Sequence, residues 1–196
     1  MSPQLASTQQ RPFAAALPRL VCEQVVLRPW HSNDAKGLLR MHSNPAAMRY
    51  WSTEPWEHGN MARAEEYLDR IDAGAQKGDL LQWAACLPGN SELIGTVTLY
   101  NICSTHRRCE IGYMLDQPRW GKGLGRSMVR LALKHAFTAL NIHKIEADAD
   151  PRNLASCRML EAIGFQREGV LRERWRTGGE LQDSAIYGLI PAEFNG

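Results

Sequence analysis

The stretch Trp120-Gly121-Lys122-Gly123-Leu124-Gly125-Arg126 constrains this chain more than any other. Three glycines at alternate positions follow a strand-like segment, residues 111–115, and open an amphipathic pattern that runs to about Asn141. Glycine leaves backbone N–H groups uncovered, and the first N–H groups of a helix have no intrahelical partner. The helix dipole adds partial positive charge at the same place. A strand, bare backbone and a helix N-terminus in succession make a site for an anion, most often a phosphate.

The length of 196 residues suits one domain with a sizeable core. Its 23 Lys and Arg are scattered among 21 Asp and Glu, and a net charge of +2 argues against a nucleic-acid partner. No apolar run approaches the roughly 20 residues that span a bilayer. Residues 13–17 are too short and too Pro-flanked for a secretory signal, so a cytoplasmic protein with no membrane partner is expected. Five cysteines, an odd count without a Cys-x-x-Cys, fit a reducing compartment. Cys103, His106 and Cys109 are evenly spaced, but a structural zinc site wants four ligands and no fourth is offered nearby, so no metal is expected.

Residues 1–20 are rich in Gln, Ser, Thr, Ala and Pro and read as a mobile tail before a single domain over 21–192. A strand is expected over 21–28, stopped by Pro29, then a helix from an Asn33 or Asp34 cap to His42. Residues 61–76 read as a helix with Ala64, Tyr67, Leu68 and Ile71 on one face. Residues 80–87 and 93–100 form a hairpin about Pro88-Gly89-Asn90, and 107–115 is a further strand. In the helix after the glycines, Met128 or Val129, Ala132, Leu133, Ala136, Phe137 and Leu140 line the buried face. A strand over 143–149, a helix over 153–163 with Gly164 at its cap, and strands over 165–172 and 182–190 complete the order βααβββαβαββ. That order is a mixed α/β (α+β) fold.

Two identities for the glycine loop fail. A nucleotide P-loop needs Ser or Thr after its Gly-Lys, and here Gly123 follows Lys122. The dinucleotide fingerprint needs G-x-G-x-x-G, whereas Gly121, Gly123 and Gly125 close one residue early. Glu146 stands at a tolerable place for that fingerprint's acidic partner, but hairpin-linked strands do not build a doubly wound parallel sheet. In the third reading the residues resemble the GNAT acyltransferase family, which carries [QR]-x-x-G-x-[GA] at such a loop. Its last two glycines fall on Gly123 and Gly125, with Trp120 in the Gln/Arg position. The Trp-Gly-Lys-Gly opening is similar to the RimJ/RimL branch of ribosomal-protein N-acetyltransferases. So are Glu110-Ile111-Gly112-Tyr113, Asn153-Leu154-Ala155-Ser156, Leu160 to Phe165, Leu27-Arg28-Pro29 and Asn44 to Arg49. The likeness spans about residues 21–190, in order.

That resemblance implies a single-domain acyl-CoA N-acyltransferase fold, a central mixed and mostly antiparallel sheet flanked by helices. It implies acetyl-CoA as co-substrate and a primary amine as acceptor, either a protein N-terminus or a small molecule, acetylated by direct attack in a ternary complex by a monomer or homodimer. Acetyl-CoA would be held by Tyr113, Met114 and Leu115, by the loop residues Trp120, Gly121, Lys122, Gly123, Leu124, Gly125 and Arg126, and by Asn153 on the pantetheine arm. An amine is mostly protonated at neutral pH, so a carboxylate must assist, and Glu110 is the candidate base. Glu110 also fits a solvent-facing charge or a partner of Arg107 or Arg108. Leu160 stands where many members place a Tyr acid. Ser156 takes the role near the sulfur, against a hydroxyl bonded back to a carbonyl. Cys157 points about 100° away from Ser156 and reads as a packed thiol. Trp51, Trp56 and Tyr67 fit either an acceptor cleft or core anchors. Arg172, Arg174 and Arg176 with Trp175 read as a solvated basic edge. The alternative function is a non-catalytic acyl-CoA-binding module of the same fold.

Overall fold

The structure, a computed structural model, describes residues 17–78 and 80–196. Eight strands form one sheet: β1 (Leu20–Val21), β2 (Val26–Arg28), β3 (Leu80–Cys86), β4 (Gly95–Cys103), β5 (Arg108–Leu115), β6 (Lys144–Ala149), β7 (Gln166–Thr177) and β8 (Glu180–Leu189). Their spatial order is β1-β2-β3-β4-β5-β6-β8-β7. Every neighbouring pair is antiparallel except β5 and β6. A parallel pair needs a crossover, and helix α4 (Leu124–Thr138) supplies it directly after the glycine run. Helices α1 (Ala35–His42), α2 (Pro45–Met48) and α3 (Met61–Lys77) precede β3, and α5 (Leu154–Ile163) joins β6 to β7.

Strand alternation sends side chains to opposite faces of the sheet. On one face Leu99, Ile111, Ile145 and Ala147 meet Met128, Leu133 and Leu160 of α4 and α5. On the other, Ala84 and Met114 meet Leu38, Met41, Trp56 and Ala64 of the α1–α3 layer. Each fully buried Leu, Ile or Met among these contributes about 1.5–3 kcal/mol. Along β5 the parity therefore puts Ile111, Tyr113 and Leu115 toward α4 and α5, and Glu110, Gly112 and Met114 toward α1–α3.

Several boundaries differ from the sequence reading. The strand expected over 21–28 is two strands, because Cys22 N–H bonds to Val25 O at 3.0 Å and folds the chain back on itself. Part of the expected tail joins the fold, since Pro18 O accepts the Trp83 indole N–H at 2.8 Å. Residues 1–16 lie outside the described residues. Asp34 does not cap α1 with its side chain; Arg28 at 2.7 Å and the His31 N–H at 2.8 Å take its carboxylate. Helix α2 was not expected, and Asn44 caps it through its side-chain oxygen. Helix α4 ends at Thr138, and Phe137 and Leu140 are only half-buried. Strand β7 runs past Arg172 to Thr177, because Gly178 (φ 59°) and Gly179 (φ 83°) supply the two positive dihedrals of a tight hairpin turn.

Candidate active site

Strands β5 and β6 pair only from Arg108 opposite Lys144 to Ile111 opposite Ala147. Beyond that point β5 stays with β4, from Gly112 opposite Thr98 to Leu115 opposite Gly95, while β6 stays with β8. The sheet parts there, and the parting is a cleft of about 340 Å³. Across it the Tyr113 phenol from β5 meets the Ser156 hydroxyl from α5 at 2.7 Å. Burial pushes the Tyr113 phenol above its ordinary value, so it stays protonated, and either hydroxyl of the pair can donate. Asn153 lines the same cleft and caps α5, its Oδ1 accepting the Ser156 N–H at 3.2 Å. The cap fixes the first turn of α5 and, with it, the Ser156 side chain.

The glycine loop sits on the α4–α5 side. Gly121 (φ 73°) and Gly123 (φ 76°) adopt the left-handed conformation that other residues avoid, so two of the three glycines are explained by backbone geometry. Gly123 is the N-cap of α4, with no side-chain cap and no acidic residue in the first turn. The dipole and the first N–H groups of α4 are thus left for a ligand. A Cβ on Gly125 would lie 3.5 Å from Met159 Sδ and 3.8 Å from Leu115 Cδ2. The start of α4 therefore abuts the end of β5 and the face of α5. Met159 and Ser156 are one turn apart on that helix, so the path from the loop to the Tyr113–Ser156 pair is short.

The proposed acetyl-CoA residues divide by what their side chains touch. Trp120 is half-exposed and its indole N–H ties the loop to Leu115 O at 2.7 Å. Lys122 Nζ donates to Pro118 O at 3.1 Å. Met114 and Leu124 are buried in the core, so only their backbone can face a ligand. Leu160, at the family's Tyr position, is wholly buried against the core. The phenol beside Ser156 comes from the opposite wall instead, from Tyr113.

The opposite side of the cleft is polar and aromatic. Glu110 is half-buried and pairs with neither Arg107 nor Arg108; Asn101 donates to its Oε1 at 2.9 Å, and Arg108 binds Glu146 at 2.9 Å. Glu110 is not part of the cleft wall, which begins on β5 at Ile111, but Tyr100, its partner in the β4–β5 register, is. Gly112 leaves room for that ring, since a Cβ there would touch Tyr100 Cε1 at 3.4 Å. Burial raises the Tyr100 phenol first, and the Glu110 and Asp148 carboxylates raise it further. Tyr100 and Asp148 escaped the sequence reading. The signal was present on β6, where Glu146 and Asp148 alternate with the buried Ile145, Ala147 and Ala149.

Of the three candidate acceptor aromatics, only Trp51 lines the cleft. Trp56 is buried and stacks on His42 with ring centroids 4.1 Å apart, and Tyr67 accepts a bond from Gln82 at 3.0 Å, so both anchor the α1–α3 layer. Trp175 lines the cleft as well, which moves part of the expected solvated basic edge into the site. Cys157 is buried, its Sγ 3.8 Å from Asp150 O, as a packed thiol should be. Cys109 is also buried, its thiol pushed up to about 12 chiefly by burial, and it faces the core rather than the Ser104–Arg107 turn.

The cleft thus joins a splayed sheet, a helix N-terminus without a side-chain cap and a phenol–hydroxyl pair. The acetyltransferase (GNAT) domain family matches residues 24–166, and the chain belongs to that family. It is 30% identical over 177 residues to the uncharacterized N-acetyltransferase p20 of Bacillus licheniformis, covering 90% of this chain and 98% of that one. It is 31% identical to a spermidine N(1)-acetyltransferase of Vibrio cholerae (87% and 95% covered) and 26% to the [ribosomal protein uS5]-alanine N-acetyltransferase of Escherichia coli (90% and 92%). A solved structure of a Vibrio cholerae spermidine N-acetyltransferase with CoA and spermine superposes with a TM-score of 0.78 at 26% identity, covering 89% of this chain and 100% of that one. The protein is an acetyl-CoA-dependent N-acetyltransferase with the expected mixed, mostly antiparallel fold. No helix among the described residues is long and apolar enough to cross a membrane.

Proposed function

We propose that the chain acetylates a small cationic amine by direct attack on acetyl-CoA within a ternary complex, with Glu110, Tyr113 and Ser156 as the working groups. The observation that carries the reading is the Tyr113–Ser156 pair, 2.7 Å apart where the sheet parts. The pyrophosphate lies on the loop from Trp120 to Arg126, and the pantetheine runs beside β5, near Asn153, toward the pair. The amine enters from the α1–α3 face. Its nitrogen attacks the thioester carbon, the C–N bond forms and the C–S bond breaks. Before that attack the ammonium gives one proton to Glu110 by way of Tyr100 or water, and the second proton shed by the nitrogen afterwards goes to the departing thiolate to give free CoA thiol. Tyr113 and Ser156 together hydrogen-bond the departing thiolate, a stabilisation that a phenol held above its ordinary range provides as a donor rather than as a strong acid. The aromatic and acidic lining, Trp51, Tyr100, Trp175 and Asp148, favours a cation over an acidic or apolar acceptor.

Release of free CoA thiol with a panel of amines and peptides tests the assignment. Glu110→Gln and Ser156→Ala should each lower kcat on the order of tenfold to a hundredfold, and Tyr113→Phe added to Ser156→Ala should cost less than its effect alone. Unchanged kcat in both Glu110→Gln and Ser156→Ala overturns the roles. Thermal stabilisation by CoA with no turnover of any acceptor marks a binding module instead.

A further inference from the structure

Three aspartates line the cleft: Asp150 is fully engaged, Asp183 is exposed to solvent with one oxygen bonded, and Asp148 is neither. Arg152 grips Asp150 through its guanidinium at 2.6 Å and its own N–H at 2.8 Å. Asp183 Oδ1 accepts the Glu173 N–H at 2.9 Å. Asp148 differs: its Oδ1 takes the Ser184 hydroxyl, but its Oδ2 is shut from solvent with no hydrogen bond. What covers Oδ2 is Arg174, whose Nε lies 3.3 Å away without hydrogen-bonding geometry. A buried carboxylate oxygen left in that state costs free energy that a better-placed cation would recover.

Arg174 reaches this position through a local distortion. The register of β7 against β8 shifts between Leu171 and Trp175. Within that shift Glu173 adopts φ 53°, a left-handed conformation unfavourable for a non-glycine residue, pinned by the Asp183 bond. Arg174 then lies over the Trp175 ring at 5.2 Å, and Trp175 is part of the cleft wall. A guanidinium on an aromatic face beside a half-buried carboxylate has the same charge and packing that an alkylammonium needs.

We propose that Arg174 is a built-in stand-in for the acceptor's ammonium: it covers Asp148 until a cationic amine displaces it and takes that carboxylate. Asp148 thereby selects for positively charged acceptors, and Arg174 sets how strongly they must compete. The proposal rests on reading this cleft as the acceptor site of an N-acetyltransferase.

The test compares the full chain with Arg174→Ala, Arg174→Lys and Asp148→Asn, using 1,5-diaminopentane as acceptor and methylguanidine as a free replacement for the missing side chain. Arg174→Ala should lower KM for the diamine by about two- to fivefold, the scale of a half-exposed ion pair, with kcat within about twofold. Methylguanidine should inhibit Arg174→Ala competitively against the diamine and raise its Tm, at concentrations that leave the parent and Arg174→Lys unaffected. Asp148→Asn should lose both responses and keep its stabilisation by CoA. An unchanged or higher KM in Arg174→Ala, or equal action of methylguanidine on parent and variant, overturns the proposal. Should the parent release no thiol with any amine, the acceptor reading falls, and the methylguanidine melting arm still decides the role of Arg174.

Discussion

The two sides of the sheet that meet at the cleft are built to different rules. On the α4–α5 side, apolar side chains alternate along the strands and the two ends of α5 are closed by Asn153 and Gly164. On the α1–α3 side and in the β7–β8 hairpin, polar groups are buried and imperfectly paired. The buried side-chain atoms without a hydrogen-bond partner among the described residues are Arg28 Nε, His42 Nδ1, Ser43 Oγ, Gln82 Oε1, Asp148 Oδ2 and Thr177 Oγ1, and none belongs to α4 or α5. In the proposed reaction the co-substrate meets the layer whose buried polar side chains are all paired among the described residues. The acceptor meets the layer that retains unmet polar capacity, and such groups recur where a ligand completes the pairing.

The largest test of this contrast is structural. Gly164 closes α5 with φ 119°, and a Cβ there would come 2.0 Å from Glu193 O, a backbone atom that cannot swing aside. Gly164→Val should cost about 3 kcal/mol or more in chemical denaturation, since strain and overlap act together. A loss below about 1 kcal/mol would show that the α4–α5 side is softer than its packing implies.

Next comes the pH dependence of the other side. His42 is buried against Trp56 and its pKa is lowered from 6.5 to about 4, first by burial and then by Arg63 and Arg70. The folded chain holds the neutral ring while the unfolded chain takes up the proton. The stability that the neutral ring carries is therefore complete above pH 6.5 and is lost as pH falls toward about 4. The full loss is on the order of 3 kcal/mol. His42→Phe should flatten that slope in melting temperature measured across the same window. A slope that survives the substitution would shift the acid sensitivity to other groups.

The smallest effect is expected at the loop. Trp120→Phe keeps an aromatic ring and removes the indole bond to Leu115 O, worth about 1 kcal/mol. KM for acetyl-CoA should rise by about fivefold, kcat and the acceptor KM staying near the parent values. An equal rise in the acceptor KM would join the two sides of the cleft that the structure keeps apart.

Much of this molecule was legible in its residues. The loop glycines announce positive φ and bare N–H groups, Gly164 announces a helix end, and the alternation of Ile145, Ala147 and Ala149 announces a half-buried strand. Errors fell where a distant group overrode a local rule. Asp34 looked like a helix cap until Arg28 claimed its carboxylate, and the strand over 165–172 looked finished where the exposed β7 continues. The resemblance left Trp56 and Tyr67 open between an acceptor cleft and core anchors, and their partners His42 and Gln82 make them core.

The sequence by itself determined the family through resemblance, while most of the order of elements and the positive-φ glycines of the loop were readable because dihedral preferences, caps and hydrophobic period act within a few residues. Only the tertiary structure decided what stands across the cleft. Tyr113 meets Ser156, 43 positions further on, across the parting of β5 and β6, and Asp148 meets Ser184, 36 further on, because β6 pairs with β8. Arg174 joins Asp148 only because a register shift in β7 turns it inward. Such meetings depend on how strands cross and separate, a property of the whole sheet that no short stretch of chain encodes.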